Sequence, residues 1–215
     1  CFTNRIWWEV IVKNKVFIRL LVGQVISSFA IAMVLNAGLG VFPVSATNLA
    51  VVNWFGVSYG VANSMVEICM MLYAMWRGER IGWATLLNGF LGGFIVDGFC
   101  LLLPHTWQLA PLGMVLLPLG YGTVGSCGLG ENGSCMFQTA LQKQFNKSTG
   151  FIRNVMEVCF LIVGLLGARS SITWFSIMLS VTFGTVMNIV YRVIKYDPTK
   201  VKQNYIKLGL TKRIQ

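Results

Sequence analysis

Long apolar stretches alternate with short polar links along most of the chain, and their length predicts membrane-spanning helices. A helix needs about 20 mostly apolar residues to cross roughly 30 Å of hydrocarbon. Stretches of this kind occur at residues 16–37, 58–76, 81–103, 107–128, 150–168 and 171–194. The pattern therefore predicts an all-α membrane protein, a helical bundle with six spans.

Two segments interrupt this pattern, and each begins with the tripeptide Gly-Leu-Gly. The first starts at Gly38 and the second at Gly128. Both are too polar for an ordinary span, and the first is also too apolar for a solvent loop. Non-helical backbone at membrane depth is tolerated only where it is buried in protein or lines a cavity. A re-entrant or broken helix is the predicted structure.

The tripeptides belong to a longer internal repeat, with an offset of 90 residues that becomes 91 after the second span. The matches include Gly38 with Gly128, Ser58 with Ser148, Glu67 with Glu157, Trp83 with Trp174, and Asp97 with Asn188. A run of ordered matches predicts a duplication. Each unit, 16–105 and 106–194, holds three spans, so the second unit enters the membrane from the opposite side. Inverted repeats of this kind are typical of secondary transporters, which bind substrate where the halves meet.

Composition and charge fit the membrane assignment. The chain is 55% hydrophobic and 11% charged, with a mean hydropathy of +0.68 and a net charge of +10. In the six-span arrangement, all of the 17 Lys and Arg residues except Arg169 fall on one side. This positive-inside pattern predicts cytoplasmic termini, with an interfacial segment at 1–15 and a basic tail at 195–215. The basic excess is explained by topology and anionic lipid, without nucleic acid.

Polar residues near the membrane zone are the candidates for a substrate site. Ionised side chains are costly in hydrocarbon and usually mark a function. Glu67 and Glu157 are interpreted either as cavity residues or as structural partners for the Gly-Leu-Gly backbone, while the unpaired acids Asp97 and Glu131 are better ligand candidates. The predicted substrate-binding set is Glu67, Asp97, Glu131, Asn132, Glu157 and Asn188.

The first span carries small residues four positions apart, at Gly23, Ser27, Ser28 and Ala32. Such spacing lets another helix backbone approach closely. Two interpretations stay open: packing against a helix of the same chain, or docking of a separate membrane subunit.

Catalytic chemistry is not indicated. The chain lacks a two-histidine zinc motif and a Gly-x-Ser-x-Gly elbow, so it is not expected to be an enzyme or to hold a metal or cofactor. The cysteines mostly lie in apolar runs and are interpreted as packing residues. Aromatic residues such as Trp54 and Tyr59 are expected either to anchor spans at the interface or to stack on a planar ligand.

Residues 38–99 and 128–190 resemble the YczE/YitT-like family of bacterial membrane proteins. The resemblance rests on Gly38-Leu39-Gly40 with Pro43, on the segment 81–97, and on the Glu67 and Glu157 pair. The family pattern often has an acid shortly after the proline, where this chain has Val44 and Ser45.

The resemblance implies a vitamin B6-related substrate, because members are often linked with pyridoxal-phosphate-sensing regulators. The bundle also looks like the substrate-binding (S) component of an energy-coupling-factor (ECF) vitamin transporter. The expected function is therefore uptake of a small vitamin-like, pyridoxine-related molecule in the bacterial cell membrane, docked on an ECF transmembrane subunit with its ATPases. The alternatives are a stand-alone secondary permease and a non-transport scaffold factor.

Overall fold

The computed structural model describes residues 2–147 and 149–194, and side chains over 15–147, 151–187 and 189–194. The described residues are helical and contain no strand. The predicted tail at 195–215 lies outside them. The helices are α1 Phe2–Asn36, α2 Pro43–Phe55, α3 Tyr59–Trp76, α4 Trp83–Leu87, α5 Gly93–Leu102, α6 Leu109–Ser126, α7 Gly133–Phe145, α8 Thr149–Gly167 and α9 Trp174–Val193.

The apolar helices fit a multi-pass membrane protein. Among the described residues, four segments are long and apolar enough to span: Lys15–Asn36, Trp83–Leu102, Leu109–Ser126 and Trp174–Val193. A fifth is possible if α2 and α3, which meet at a bend of 114°, form one broken span. The count of six spans thus stays a prediction. Helix α1 runs from Phe2 to Asn36, so residues 2–15 continue into the first span, and the interfacial position of 1–15 stays a prediction.

Both Gly-Leu-Gly segments form tight turns that lead into a short helix. Gly38 and Gly40 have φ values of 68° and 131°, and Gly128 and Gly130 have values of 65° and 107°. These left-handed conformations favour glycine. The turns lead into α2 and α7, of 13 residues each, so the prediction of broken helical segments at these positions agrees with the backbone.

Each turn docks on the first residues of a distant helix. After the first turn, the Val41 amide donates to the Ser176 hydroxyl at the start of α9, at 2.9 Å. After the second, the Ala84 amide at the start of α4 donates to the Leu129 carbonyl, at 3.0 Å. The two turns therefore tie opposite halves of the chain together.

The core forms where α1 crosses α6. A Cβ at Gly120 would lie 2.6 Å from the backbone nitrogen of Ser27, so the two helix backbones are nearly in contact. Beside this crossing, Val34, Leu117, Leu179 and Phe183 pack together as one buried apolar cluster. A π-helical turn, Asn88–Gly92, joins α4 to α5 and faces α1.

Candidate functional site

A polar cavity lies at the centre of the bundle, where the elements of both halves meet. Its volume of about 30 Å³ gives room for one or two water molecules. The lining comes from α1, α2, α3, the π-helical turn, α5, α6, α8 and α9, with Phe42 from the turn before α2. The polar and aromatic lining residues are Ser28, Phe42, Ser45, Asn48, Tyr59, Asn63, Glu67, Asn88, Tyr121, Arg153, Glu157 and Phe183.

A buried ion pair forms one wall of this central cavity. Arg153 and Glu157 lie one turn apart on α8, and 2.6 Å separates Nη2 from Oε1. Their side chains are only 8% and 4% exposed. The guanidinium also lies over the ring of Phe183, 5.6 Å from its centre. Nε and Nη1 of Arg153 have no hydrogen-bond acceptor, so the pair leaves donor capacity unused.

The structure buries Arg153, which the sequence-based charge count takes as one of the basic residues on the cytoplasmic side. The sequence-based charge count groups it with Lys143 and Lys147, at the start of the span predicted at 150–168. In the structure it lies within α8 and inside the bundle, because Glu157 on the next turn supplies its counter-charge. An Arg and a Glu four residues apart on an apolar helix is the sequence signal that would have identified this pair.

Glu67 projects from α3 and lies at the N-terminus of α7. The backbone amides of Gly133 and Ser134 and the side-chain amide of Asn88 face its carboxylate. A helix N-terminus carries a partial positive charge that favours such an anion. Oε2 nevertheless accepts no hydrogen bond, although it is buried. Glu67 thus combines both interpretations given to it, since it lines the cavity and faces backbone next to the second Gly-Leu-Gly turn.

Side-chain amides and hydroxyls of α2 and α3 form a second wall. The Asn48 amide nitrogen donates to Asn63 Oδ1 at 2.9 Å and to the Tyr59 hydroxyl at 3.2 Å. Tyr59 in turn donates to Ser45 at 3.0 Å. The Oδ1 atom of Asn48 is buried without a partner. Tyr59 therefore belongs to the cavity, whereas Trp54 is half exposed on the outer surface.

Helix α1 closes the cavity against the π-helical turn. The Ser28 hydroxyl donates to the Gly92 carbonyl at 3.1 Å, and the Gln24 amide donates to Asn88 Oδ1 at 3.0 Å. A π turn leaves backbone carbonyls with altered partners, and such turns are frequent at functional sites. The π turn here presents one of those carbonyls to a cavity side chain.

The small residues of α1 face the interior of this same chain. Gly23, Ser27, Ser28 and Ala32 are all buried. Gly23 lies against Val124 and Ser27 against Gly120, both on α6, and Ser28 reaches the π turn. The expected docking face is corrected accordingly: these residues make an internal helix contact, the other interpretation given to their spacing.

Asp97 lies outside the cavity lining. Its Oδ2 accepts a hydrogen bond of 2.8 Å from the backbone amide of Gly60, in the first turn of α3. The carboxylate therefore satisfies an amide that the helix itself leaves unpaired. This contact gives Asp97 a structural partner.

Glu131 and Asn132 precede α7 and are also absent from the cavity lining. Burial raises the pKa of the Glu131 carboxyl, nearby Glu79 adds to the rise, and Lys143 partly offsets it. Asn132 is buried with an unpartnered Oδ1. Asn188 lies in α9, and its side chain is outside the described residues. The predicted substrate set is thus divided, with Glu67 and Glu157 in the cavity.

Comparison with known protein families finds a match. The model of a family described as "Family of unknown function (DUF6198)" matches residues 14–194, which covers every helix that lines the cavity. No curated protein matches the chain, and no solved structure does.

Proposed function

The chain belongs to the DUF6198 family of unknown function, and we propose from its central cavity that it is a membrane transport protein for uptake of a small vitamin-like molecule. The observation that carries this proposal is the buried Arg153–Glu157 pair in a polar cavity at the middle of an apolar bundle. Charged groups at such a position are expensive unless they serve a pathway or a ligand.

We infer that the two halves are inverted repeats. A Cβ at Gly23 would lie 2.9 Å from Val124, and a Cβ at Gly113 would lie 2.7 Å from Val34. Gly23 matches Gly113, and Val34 matches Val124, at the offset of 90 residues. The contact is therefore reciprocal. Such reciprocity is expected where related halves meet about a pseudo-two-fold axis, the position at which transporters of this kind bind substrate.

Alternating access would require each end of the bundle to open in turn. At one end, Lys143 of α7 pairs with Glu79 just beyond α3 at 2.6 Å, and Tyr73 of α3 bonds to Gln144 of α7. At the other, the Asn53 side chain of α2 donates to the Gly167 carbonyl of α8, at 2.8 Å. These contacts are the polar part of the packing at the two ends, and Met71, Ala74, Met136 and Ala140 pack as an apolar cluster between α3 and α7.

The resemblance to YczE/YitT-like proteins makes a pyridoxine-related compound the first substrate to test. A cavity of about 30 Å³ is too small for such a molecule, so the proposed transport requires the lining helices to move apart when substrate binds. The proposed location is the bacterial cell membrane, with both termini cytoplasmic.

Transport has two forms, a component docked on an ECF transmembrane subunit with ATPases, and a stand-alone permease. The internal burial of Gly23, Ser27, Ser28 and Ala32 favours the permease, because it removes the face that a partner was expected to use. A docked component would need another surface. The non-transport scaffold differs from both, because it predicts no small-molecule ligand.

The test is uptake of labelled pyridoxine into proteoliposomes that contain only the purified chain. Uptake under an ion gradient, without any ATPase, would establish the permease and rule out the docked form. Uptake only after co-purified partner proteins are added would establish the docked form. Absence of uptake in both settings, together with no thermal stabilisation by pyridoxine, would refute the proposal and favour the scaffold.

A further inference from the structure

The central cavity contains hydrogen-bond donors that the protein itself does not satisfy. Arg153 is 7% exposed, and its Nε and Nη1 atoms have no acceptor. Of the guanidinium nitrogens, Nη2 is the one that lies within hydrogen-bond distance of Glu157. Buried donors without partners cost free energy, and they do so most when the group is charged. The unused side of the guanidinium is therefore suited to an oxyanion supplied by a ligand.

The same cavity contains acceptors in a similar state. Oε2 of Glu67 and Oδ1 of Asn48 are buried and accept no hydrogen bond. Both side chains line the cavity. They come from α3 and α2, on elements other than the helix that carries Arg153. The cavity therefore contains both donors without acceptors and acceptors without donors, and they lie on different walls.

The charges of the lining discriminate between ligand classes. Two carboxylates, Glu67 and Glu157, accompany one guanidinium, Arg153. A purely anionic ligand would leave Oε2 of Glu67 and Oδ1 of Asn48 without a donor. A purely cationic one would leave the nitrogens of Arg153 without acceptors. A ligand that carries an acidic group and a hydrogen-bond-donating nitrogen satisfies both walls.

Aromatic side chains complete the lining. Phe42, Tyr59, Tyr121 and Phe183 all contribute, and the rings of Phe42 and Phe183 pack edge to face with their centres 5.4 Å apart. These surfaces suit the apolar body of a small organic ligand, since pockets combine apolar walls with a few polar groups that fix orientation.

We propose that the central cavity recognises a small amphoteric molecule, whose acidic group binds Arg153 and whose donor nitrogen binds Glu67 and Asn48. This inference rests on the transport function proposed above and names the substrate class for the same site.

The test uses the full chain in nanodiscs and measures thermal stabilisation. The probes are the standard amino acids with uncharged side chains other than proline, each beside its deaminated acid and its decarboxylated amine. At least one amino acid is expected to raise the melting temperature, while its two single-charge counterparts do not. Glu67→Gln keeps the shape of the side chain. It is expected to weaken the binding of that amino acid at least tenfold.

The outcomes separate the two proposals. If the deaminated acids or the decarboxylated amines stabilise the chain as much as the amino acids do, the amphoteric site is overturned and the transport proposal stands. Stabilisation by no member of the panel would also overturn it, and pyridoxine uptake in proteoliposomes would then show that transport itself survives. An unchanged affinity in Glu67→Gln, with the fold retained, would overturn the role given to Glu67.

Discussion

Arg153 and Glu157 form an ion pair on one face of α8, with 2.6 Å between Nη2 and Oε1. Both residues are buried. Breaking a buried pair by removing one partner typically costs about 3–5 kcal/mol, because the remaining charge is uncompensated. Replacing both partners with apolar residues of similar volume is often neutral. The pair is therefore a direct way to separate stability from function.

We expect Arg153→Met and Glu157→Met each to lower the melting temperature strongly, and the double variant to recover most of the loss. The double variant should still fail to bind any probe that stabilises the wild-type chain, because the guanidinium is gone. Thermal unfolding in nanodiscs, followed by titration with the probe, measures both effects. Probe binding by a stable double variant would assign the pair to structure alone.

Asp97→Asn tests the sequence-based expectation that Asp97 serves a ligand. Asp97 accepts from the Gly60 amide at the start of α3 and does not line the cavity. A negative charge at a helix N-terminus contributes roughly 0.3–1 kcal/mol. We expect a small loss of thermal stability and an unchanged probe affinity, whereas Glu67→Gln should show the opposite order. A tenfold weaker affinity in Asp97→Asn would return Asp97 to the substrate site.

Gly82→Ala probes the contact between α4 and the second Gly-Leu-Gly turn. A Cβ at Gly82 would lie against the Leu129 carbonyl and 2.5 Å from the Cα atom of Gly130. Overpacking of this kind costs about 1–3 kcal/mol, and it would strain the Ala84–Leu129 hydrogen bond. We expect a clear fall in melting temperature.

Gly98→Ala is the matched control for that variant. Gly98 lies in α5, and a Cβ there would meet nothing within 4 Å. Alanine is favoured over glycine in a helix by about 0.5–1 kcal/mol. We expect unchanged or slightly raised stability, and a Gly82→Ala chain as stable as Gly98→Ala would show that the clash expected at Gly82 is absorbed.

Ser28→Leu distinguishes internal packing from docking on α1. Ser28 is buried and donates to the Gly92 carbonyl, so leucine would remove a hydrogen bond and crowd the π turn. We expect the isolated chain to lose about 1–3 kcal/mol of stability. Val25→Leu, on the exposed side of α1, is the control and should change little. An isolated Ser28→Leu chain as stable as the control would reopen the docking interpretation.

Glu131 should make stability depend on pH. Its pKa is raised in the folded chain by burial and by Glu79, so the folded state holds a proton to higher pH than the unfolded state. Its contribution is therefore fully present below the ordinary glutamate pKa of about 4.3 and is lost as pH rises through the raised value. We expect the melting temperature of Glu131→Gln to fall less than that of the wild-type chain over this window. Parallel curves would contradict the shift.

The sequence predicts the large features of this fold because they follow from hydrophobicity and glycine. Apolar length locates α1, α6 and α9, and the two Gly-Leu-Gly turns are where glycine provides left-handed backbone. The repeat also identifies Glu67 and Glu157, both of which line the cavity. These features depend on local chemistry that is written in consecutive residues.

The cavity itself depends on contacts between distant helices, and that is where the sequence misleads. Arg153 looks like a topology signal until Glu157 is placed one turn away inside the bundle. Asn48 and Asn63 look like ordinary polar residues, because only the packing of α2 on α3 brings their amides together. Asp97 looks like a ligand group because the residue that matches it in the second half is not acidic. In the structure, its carboxylate accepts a hydrogen bond from a backbone amide of α3.

The π-helical turn between α4 and α5 shifts the helical phase of the residues that follow it. A π turn accommodates one residue more than an α turn, and one residue corresponds to about 100° of rotation around a helix with 3.6 residues per turn. α9 is assigned as α-helix from Trp174 to Val193, without such an insertion. Positions after Gly92 are thus out of phase with their counterparts in α9, although the letters still align. A difference in helical phase of this kind lets two segments that match in sequence present different faces without any change in length.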